Sequence, residues 1–420
     1  MNQLRKKQGL LMILDGLGDR PNLELNGMTP LEIAKTPNLD FLASQGMCGN
    51  VYPIAPGLRV GTDVGHLHIF GCDSNKVYSG RGPIEAYSAG IELMPGDVAF
   101  RGNFGTIDEN YTVIDRRAGR IREGTKELAA AINGLILSDG TQVIVKELTE
   151  HRVAIVLRGN NLSDKISCTD PGTAVEGEKL VIPSPLDDTS SAAKTAKNLW
   201  EFTMRSYEIL KEHPINKQRL SKELYVANAV ITRGAGQKKY MPSIKELYNI
   251  KAACVAGDIT VGGIAQLVGI DYFSNESFTG SFDTNLIGKA DMAINLINEK
   301  SYNWVVMHIK ATDLAGHDNL PIAKKDMIEK VDSIIGYILK KIDLNKCYIA
   351  VTADHSTPCE VRDHTGDGVP TIIAGGDVRK DSVNSAGESQ FMSGSLNNLT
   401  ANDIFMLQMD LLGFTEKVGS

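Results

Sequence analysis

Four of the chain's eight histidines lie within fewer than sixty residues, in a segment that also holds two aspartates placed like metal ligands. These residues are His308, Asp313, His317, Asp354, His355 and His364. Two apolar runs, at 304–309 and 347–352, are of the kind that forms buried parallel strands; His308 lies within the first, and the other five residues follow one of the two. Open α/β sheets place their functional sites beyond the C-terminal ends of such strands. Imidazole and carboxylate groups in that position indicate a divalent metal site that holds more than one ion.

The spacing within each group supports a ligand role to a different degree. Asp313 and His317 are four residues apart, so both could face one ion from a helix. An N-cap aspartate beside a surface histidine explains this pair equally well. Asp354 and His355 are the stronger pair, because two polar side chains directly after a buried strand are costly unless they have partners. His364 precedes the next apolar run, which returns the chain to the sheet and favours a ligand role.

Two residues from the N-terminal part of the chain are candidates for the same site. Asp15 follows the apolar run 9–14 and could be a further ligand, although an aspartate before glycine is also common in turns. Thr62 lies in a Gly-Thr-Asp segment and is the candidate nucleophile, since metal coordination can activate a hydroxyl group. This short segment is weakly specific by itself. The remaining histidines are assigned structural or surface positions: His66, His68, His151 and His213.

Candidate arginines lie in a different part of the chain. Three of them fall within residues 115–120 of an acidic protein, and two others lie beside glycines. Guanidinium groups bind carboxylates and phosphates through paired hydrogen bonds, so these residues could bind a small anionic ligand. A solvated basic surface is the alternative interpretation. The candidates are Arg81, Arg116, Arg117, Arg120 and Arg233.

The composition argues against several classes of protein. The chain has 420 residues, 42% of them hydrophobic, and a formal net charge of -7, so neither nucleic acid nor an anionic membrane is an expected partner. No segment approaches about 20 consecutive apolar residues, so no membrane span is expected. The N-terminal residues lack the long apolar region of a signal peptide. The six scattered cysteines contain no CxxC pair and predict reduced thiols in the cytoplasm.

The order of predicted elements indicates the fold class. Apolar runs alternate with helical segments over most of the chain, which predicts an α/β protein with a doubly wound, mostly parallel sheet. Between about residues 106 and 185 the pattern changes to alternating segments, as in 152–158, which predict antiparallel strands. We therefore predict a core domain of residues 1–105 and 186–420, with a smaller α+β lid domain at 106–185. The segment 225–232 is predicted to return to the core sheet.

Eight segments, in order over nearly the whole chain, carry a family resemblance. They begin at Asp15, Thr29, Gly80, Asp97, Asp115, Arg233, His308 and Thr352, and include Asp15-Gly-Leu-Gly-Asp, Asp115-Arg-Arg-Ala-Gly-Arg and Thr352-Ala-Asp-His-Ser-Thr-Pro-Cys. Together they resemble the archaeal-type cofactor-independent phosphoglycerate mutases of the alkaline phosphatase superfamily. The resemblance implies an alkaline phosphatase-like core and an isomerase. Its implied activity is the interconversion of 3-phosphoglycerate and 2-phosphoglycerate in glycolysis and gluconeogenesis.

The resemblance also implies roles for individual residues. One metal ion is expected at Asp15, Thr62, Asp354 and His355, and a second at Asp313, His317 and His364. The family's ions are usually manganese, with magnesium, cobalt or zinc as variants, and 2,3-bisphosphoglycerate is not required. The five candidate arginines are expected to bind the phosphoglycerate substrate. The family's usual nucleophile is a serine, whereas this chain has Thr62, so a phosphothreonine intermediate is expected.

Two other functions are consistent with these residues. A metal-dependent phosphatase, or a phosphotransferase for another small phosphate ester, would use the same core and release or transfer the phosphoryl group differently. A non-catalytic metal- or phosphate-binding protein would keep the ligands but form no phosphoenzyme. Analysis of the products separates the first alternative from a mutase, and labelling of Thr62 separates the second.

Overall fold

The computed structural model describes residues 7–172, 177–239 and 242–419. The N-terminal residues 1–6, which were considered for a signal peptide, lie outside this part. The strands are β1 Gln8–Leu14, β2 Gly46–Val51, β3 Val98–Ile107, β4 Val113–Asp115, β5 Gln142–Glu147, β6 Arg152–Arg158, β7 Ala229–Gln237, β8 Ala252–Val255, β9 Asp271–Phe273, β10 Trp304–Ile309, β11 Cys347–Thr352 and β12 Val369–Ala374.

Helices connect most of these strands. They are α1 Pro30–Ile33, α2 Pro37–Ser44, α3 Thr62–Ile69, α4 Ser74–Val77, α5 Gly82–Ser88, α6 Thr125–Ile132, α7 Ser190–Lys211, α8 Pro214–Ser221, α9 Ile244–Tyr248, α10 Ile259–Leu267, α11 Leu286–Asn298, α12 Ala311–His317, α13 Pro321–Leu339, α14 Glu388–Phe391 and α15 Ala401–Leu411. None of the helices in the described part of the chain combines the length and apolar character that crossing a membrane requires.

The chain divides into two compact units at positions that differ from the predicted boundaries. The first unit contains Met1–Lys76 and Met241–Ser420, and the second contains Val77–Tyr240. The second unit is larger than the predicted 106–185 because β3 pairs with both β6 and β7. The segment 225–232 was predicted to join the core sheet, and this is wrong: β7 belongs to the second unit. Its apolar run resembles a core strand because it is buried there.

The first unit is built on a mostly parallel sheet. Its strand order is β2-β12-β11-β1-β10-β8-β9. β12 runs antiparallel to its two neighbours, and the pairs that join β11, β1, β10, β8 and β9 are parallel. β1, β10 and β11 are buried almost throughout, as continuous apolar runs in a parallel sheet require. The predicted α/β class with a mostly parallel sheet is confirmed.

The second unit is built on an antiparallel sheet in which β3 is the central strand. The order β4-β3-β6-β5 is extended by β7, which also pairs with β3. One buried cluster combines β3, β5, β6 and β7 with α6 and α7, and Phe100, Phe104 and Phe202 are its large side chains. The alternating segment 152–158 forms β6, so the antiparallel prediction for this part of the chain is confirmed.

One helix boundary was predicted less well. A Thr-Pro start and a glycine stop predict a single helix over residues 30–46, but the chain forms α1 and α2 instead. Proline at position 37 disfavours helical backbone at the residue before it, and it removes a backbone donor. The helix therefore ends after Ile33 and a new one starts at Pro37.

Candidate active site

Five of the seven candidate metal ligands lie after the C-terminal ends of three neighbouring strands in the first unit. β1 pairs in parallel with both β10 and β11, so the three strands end at one edge of the sheet. Asp15 directly follows β1. Asp354 and His355 follow β11, and α12, which carries Asp313 and His317, follows β10. The sheet therefore assembles residues that are more than 300 positions apart in sequence.

A glycine permits the close packing of these chain ends. Gly16 has a φ of 64°, and a Cβ atom there would lie 2.5 Å from the Oγ1 atom of Thr357 and 2.9 Å from the Cα atom of Asp313. Any side chain at this position would strain the backbone and collide with both loops. The turn after Asp15 therefore brings that carboxylate against the loops that follow β10 and β11.

Two clusters of ligand-type side chains result. The first cluster is Asp15, Asp354 and His355, and the second is Asp313, His317 and His364; within each, the ligand atoms lie within 4.8 Å of one another. The three members of the first cluster are completely buried. The family resemblance implied the same two groups, with Thr62 as a fourth member of the first. Thr62 begins α3 and lies beside the first cluster, with its Oγ1 atom 3.4 Å from Nε2 of His355.

Hydrogen bonds decide which ring nitrogen of His355 faces the first cluster. Thr357 Oγ1 donates to Oδ1 of Asp313 over 2.6 Å and lies 3.1 Å from Nδ1 of His355. Because the Thr357 proton is committed to Asp313, Nδ1 of His355 must be the donor, which leaves a lone pair on Nε2 of the neutral ring. That lone pair faces Oδ2 of Asp354 at 3.2 Å as well as the Thr62 hydroxyl group.

The second cluster has the same arrangement of ring nitrogens. The Nδ1 atom of His317 lies 3.0 Å from the carbonyl oxygen of Arg362, and Nδ1 of His364 lies 2.8 Å from that of Val60. A carbonyl oxygen only accepts, so each Nδ1 carries a proton and each Nε2 has a lone pair in the neutral ring. These two Nε2 atoms are 3.1 Å apart, and Oδ1 of Asp313 is 3.4 Å from Nε2 of His317.

This donor set fits divalent cations. Two imidazole lone pairs and a carboxylate oxygen that converge within 3.5 Å repel one another unless a proton or a metal ion lies between them. In the first cluster, Oδ2 of Asp354 is buried and has no hydrogen-bond partner among the described residues. Leaving a buried carboxylate oxygen unpaired costs free energy, and a bound cation removes that cost.

The pKa values reflect the same excess of negative charge. Burial raises the pKa of Asp15, and the neighbouring carboxylate of Asp354 raises it further. Burial alone would lower the pKa of His364, but the facing carboxylate of Asp313 outweighs it and raises that pKa. Neighbouring carboxylates contribute to both pKa shifts. The same carboxylates would stabilise a cation bound at either cluster.

Lys310 is a member of this site that the sequence patterns did not single out. Its Nζ atom lies 3.0 Å from both carboxylate oxygens of Asp15, 2.7 Å from Oδ2 of Asp313 and 3.3 Å from Oγ1 of Thr62. Burial alone would lower the pKa of Lys310, but the carboxylates of Asp15 and Asp313 outweigh it and raise the pKa. Its position directly after β10, next to the predicted ligands, is the signal that could have identified it.

His66 lies behind the first cluster. It is completely buried, with Nδ1 2.8 Å from the carbonyl oxygen of Thr62 and 3.3 Å from Oδ2 of Asp354. Gly65 allows α3 to approach this region, because a Cβ there would lie 2.5 Å from the carbonyl oxygen of Asp354. These contacts place the first turn of α3, and with it Thr62, against the loop after β11.

Four of the five predicted arginines are brought together in the second unit, around a cavity of about 310 Å³. Strand register explains part of the arrangement, since Arg101 on β3 pairs with Arg233 on β7, and Asn103 pairs with Arg152 on β6. Like charges on directly opposed strand positions are destabilising, so this pairing indicates a binding role. The lining residues are Arg101, Asn103, Arg116, Arg117, Arg120, Glu150, His151, Arg152 and Arg233.

Few carboxylates compensate these guanidinium groups. Arg116 is bound to Asp170. Burial lowers the pKa of Arg101 to about 9, and the neighbouring arginines Arg81 and Arg233 oppose its charge. Burial likewise lowers the pKa of Arg233, with a further contribution from Arg116. An anion in the cavity would relieve this repulsion, as expected of a site for carboxylate or phosphate groups.

The structure corrects the prediction for His151, and it places Arg81 outside the cavity lining. His151 was assigned to the surface, but it is only 7% exposed and lines the arginine cavity. The turn between β5 and β6 buries it, and no pattern in the sequence indicates that. Arg81 was expected with the substrate-binding arginines but is not among the residues that line the cavity. Its Nε atom lies 3.0 Å from Oε1 of Glu85, a buried carboxylate that also lies 3.6 Å from Nε of Arg101.

Comparison with known proteins assigns the chain to a family. The profile of the 2,3-bisphosphoglycerate-independent phosphoglycerate mutases matches residues 43–216. A mutase of this name from Pyrococcus horikoshii is 45% identical over 417 residues, which is 99% of both chains. Another from Methanobrevibacter smithii is 42% identical and aligns with 98% of this chain and 100% of the relative. The chain belongs to this family. The predicted resemblance and the isomerase class are thereby confirmed.

Solved structures agree with this membership. A cofactor-independent phosphoglycerate mutase from Thermoplasma acidophilum is 35% identical, with a TM-score of 0.74 over 97% of this chain and 100% of that one. The structure of a Pyrococcus horikoshii protein is 39% identical, with a TM-score of 0.85 over 99% and 100%. The family is defined as independent of 2,3-bisphosphoglycerate. The sequence patterns did not single out four residues of this protein. Lys310 and Thr357 contact the two clusters, and Arg101 and Arg152 line the arginine cavity.

Proposed function

We propose that this chain interconverts 3-phosphoglycerate and 2-phosphoglycerate through a phosphothreonine at Thr62. Membership of the mutase family supports the reaction class. The observation that carries the assignment of the nucleophile is the position of Thr62 Oγ1, 3.4 Å from Nε2 of His355 and 3.3 Å from Nζ of Lys310. A hydroxyl group that lies beside a candidate metal site and an ammonium group can be deprotonated for attack on phosphorus.

The two clusters are the proposed sites of two divalent metal ions. Asp15, Thr62, Asp354 and His355 would hold one ion, and Asp313, His317 and His364 the other. We expect manganese, with magnesium, cobalt or zinc as alternatives, since mixed imidazole and carboxylate ligands suit these ions. When bound, such ions neutralise phosphoryl oxygens and lower the pKa of the coordinated hydroxyl group.

The remaining chemistry belongs to the chain's own residues. Thr62 lies at the N-terminus of α3, where backbone N–H groups and the helix dipole favour a phosphoryl group. Its Oγ1 atom attacks phosphorus, the bond to the glycerate oxygen breaks, and the proton lost by Thr62 is balanced by the proton that the glycerate hydroxyl gains. The other glycerate hydroxyl then takes the phosphoryl group from Thr62 by the same steps in reverse.

The arginine cavity is the proposed binding site for the anionic groups of phosphoglycerate. Arg116, Arg117, Arg120 and Arg233 were expected in this role, and Arg101 and Arg152 line the same cavity. Guanidinium groups bind carboxylate and phosphate groups through paired hydrogen bonds, which suits the two kinds of anionic group in phosphoglycerate. Water competes with glycerate for the phosphoryl group, so a mutase must exclude water to avoid acting as a phosphatase.

Product analysis tests the proposal. The protein is stripped of metal with a chelator, then incubated with 3-phosphoglycerate before and after manganese is added back, and the products are followed by phosphorus NMR. We expect 2-phosphoglycerate to accumulate to equilibrium only after metal is restored. Release of inorganic phosphate without isomerised ester would establish the phosphatase alternative, and undiminished isomerisation in the metal-free sample would refute the two-metal site.

Truncation of a cavity arginine is expected to weaken substrate binding. Arg233→Ala should raise KM for 3-phosphoglycerate by about 10- to 100-fold, because a charge-assisted hydrogen bond contributes roughly 1.5–3 kcal/mol. Steady-state kinetics provide the measurement. Arg205→Ala is the matched control, since Arg205 lies on α7 of the same unit and pairs with Glu201 instead. An unchanged KM in Arg233→Ala would remove that residue from the binding site.

The same proposal gives the enzyme a place in glycolysis and gluconeogenesis, and hence in the cytoplasm. The six cysteines are all free thiols. Five of them are buried, as expected of structural thiols in a reducing compartment.

A further inference from the structure

Lys310 lies where the two clusters and the candidate nucleophile meet. The residue follows β10 directly, and its side chain is 20% exposed. Its Nζ atom is 3.0 Å from the carboxylate of Asp15, 2.7 Å from that of Asp313 and 3.3 Å from the hydroxyl oxygen of Thr62. One ammonium group therefore contacts an aspartate of each cluster and the nucleophile.

The number of donors matches the number of partners. A lysine ammonium group has three N–H donors and no acceptor. Two donors are directed to Asp15 and Asp313, and the third is within reach of Oγ1 of Thr62. The contact with Thr62 can only be a donation from Lys310, so it stabilises negative charge on Oγ1. The hydroxyl proton of Thr62 remains available for transfer.

The two carboxylates also hold the ammonium group in place. A lysine side chain has four flexible torsions, and ordering it costs conformational free energy. Here Asp15 and Asp313, from the ends of two neighbouring strands, accept from the same Nζ atom. The donor is therefore pre-organised toward Thr62, which is the condition under which a fixed charge stabilises a transition state well.

We propose that Lys310 is a catalytic residue for both phosphoryl transfers. This inference rests on the proposed function of Thr62. The ammonium group stabilises the Thr62 oxygen as it attacks phosphorus, and afterwards donates to the phosphoryl group of the phosphothreonine. In the first transfer the Oγ1–P bond forms as the bond from phosphorus to the glycerate oxygen breaks. In the second these changes reverse toward the other hydroxyl group, and Lys310 keeps its protons throughout.

Lys310→Met is the variant that tests this role. Methionine has a similar length and removes the charge and the donors. We expect the rate of Thr62 phosphorylation by 3-phosphoglycerate to fall by about 100-fold or more, measured by rapid quench and peptide mass spectrometry, while the metal content of the purified protein stays at the wild-type value. Lys310→Arg keeps the charge but changes the length of the side chain. Its rate of Thr62 phosphorylation should lie between those of Lys310→Met and the wild type.

Lys289→Met is the matched control. Lys289 is a buried lysine of the same unit, and its Nζ atom donates to the carbonyl oxygen of His308 over 3.0 Å. In Lys289→Met, we expect Thr62 to be phosphorylated at the wild-type rate. A wild-type rate in Lys310→Met would overturn the proposal, and so would loss of metal from that variant, because the lysine would then serve the clusters and not the nucleophile.

The same experiment distinguishes failure of the proposed function from failure of the proposed role of Lys310. If the wild-type protein forms no phosphothreonine with metal restored, the proposed function fails and the role of Lys310 fails with it. If the wild-type protein is labelled at Thr62 and Lys310→Met is labelled equally fast, the proposed function stands and only the role of Lys310 is lost.

Discussion

Replacement of Thr62 by alanine is expected to abolish phosphoenzyme formation and to lower mutase turnover by at least about 1,000-fold. The hydroxyl oxygen of Thr62 is the proposed covalent acceptor, and it lies 3.4 Å from Nε2 of His355 at the start of α3. Substrate binding should persist, because the arginine cavity and the six other candidate metal ligands are unchanged. Single-turnover transfer from labelled 3-phosphoglycerate, with the label mapped by peptide mass, is the measurement.

Thr62→Ser is the informative companion of this variant. Serine keeps the oxygen and removes the methyl group that restricts the χ1 rotamer, so activity should be retained. Thr371→Ala is a matched control, since Thr371 is a buried threonine of the same unit that bonds to Thr352. It should be labelled at Thr62 like the wild type. Label on another residue, or full turnover in Thr62→Ala, would disprove the phosphothreonine mechanism without affecting the family assignment.

Removal of a ligand from either cluster is expected to eliminate turnover together with one equivalent of bound metal. Asp354→Ala and His317→Ala each take one side chain from a different cluster, and each should lower kcat by about 1,000-fold or more, since phosphoryl transfer depends on neutralisation of charge at the metal site. Activity assays combined with elemental analysis of the dialysed protein provide the measurement, and circular dichroism should show a retained fold.

A substitution of a buried aspartate outside the clusters is the control that distinguishes loss of a metal ligand from loss of stability. Asp332 is 2% exposed and accepts from the backbone N–H groups of Asn38 and Leu39, so it fixes the start of α2. Asp332→Ala should lower the melting temperature but keep the wild-type metal content. If Asp354→Ala or His317→Ala retains its metal and near-normal turnover, the residue concerned is not a ligand.

Several features of this protein were predictable because they depend on local sequence. Apolar runs followed by polar ligand-type residues predicted the buried parallel strands and five candidate ligands: Asp15, Asp313, His317, Asp354 and His355. The alternating segment 152–158 predicted antiparallel pairing in the inserted region, which β6 confirms. These inferences succeed because strand burial and the polarity of strand ends are properties of short segments.

The domain boundaries could not be predicted in this way. The change of pattern near residue 106 is real, but β3 begins at Val98 and is the centre of the second unit's sheet. β7 joins that sheet from a segment that looks like a core strand. A buried strand joins one sheet or another through pairing between distant segments. An apolar run by itself does not identify the strand with which it will pair.

The site itself shows the same division between local pattern and tertiary contact. The residue types of the candidate ligands were evident from the sequence. The tautomers of His317 and His364 follow instead from the carbonyl groups of Arg362 and Val60, which only folding brings near. Lys310 acquires its significance because three chain segments converge on its Nζ atom. Sequence by itself determined the chemistry available to this protein, and tertiary structure decided which atoms meet, because distances between remote residues are set by packing and not by spacing along the chain.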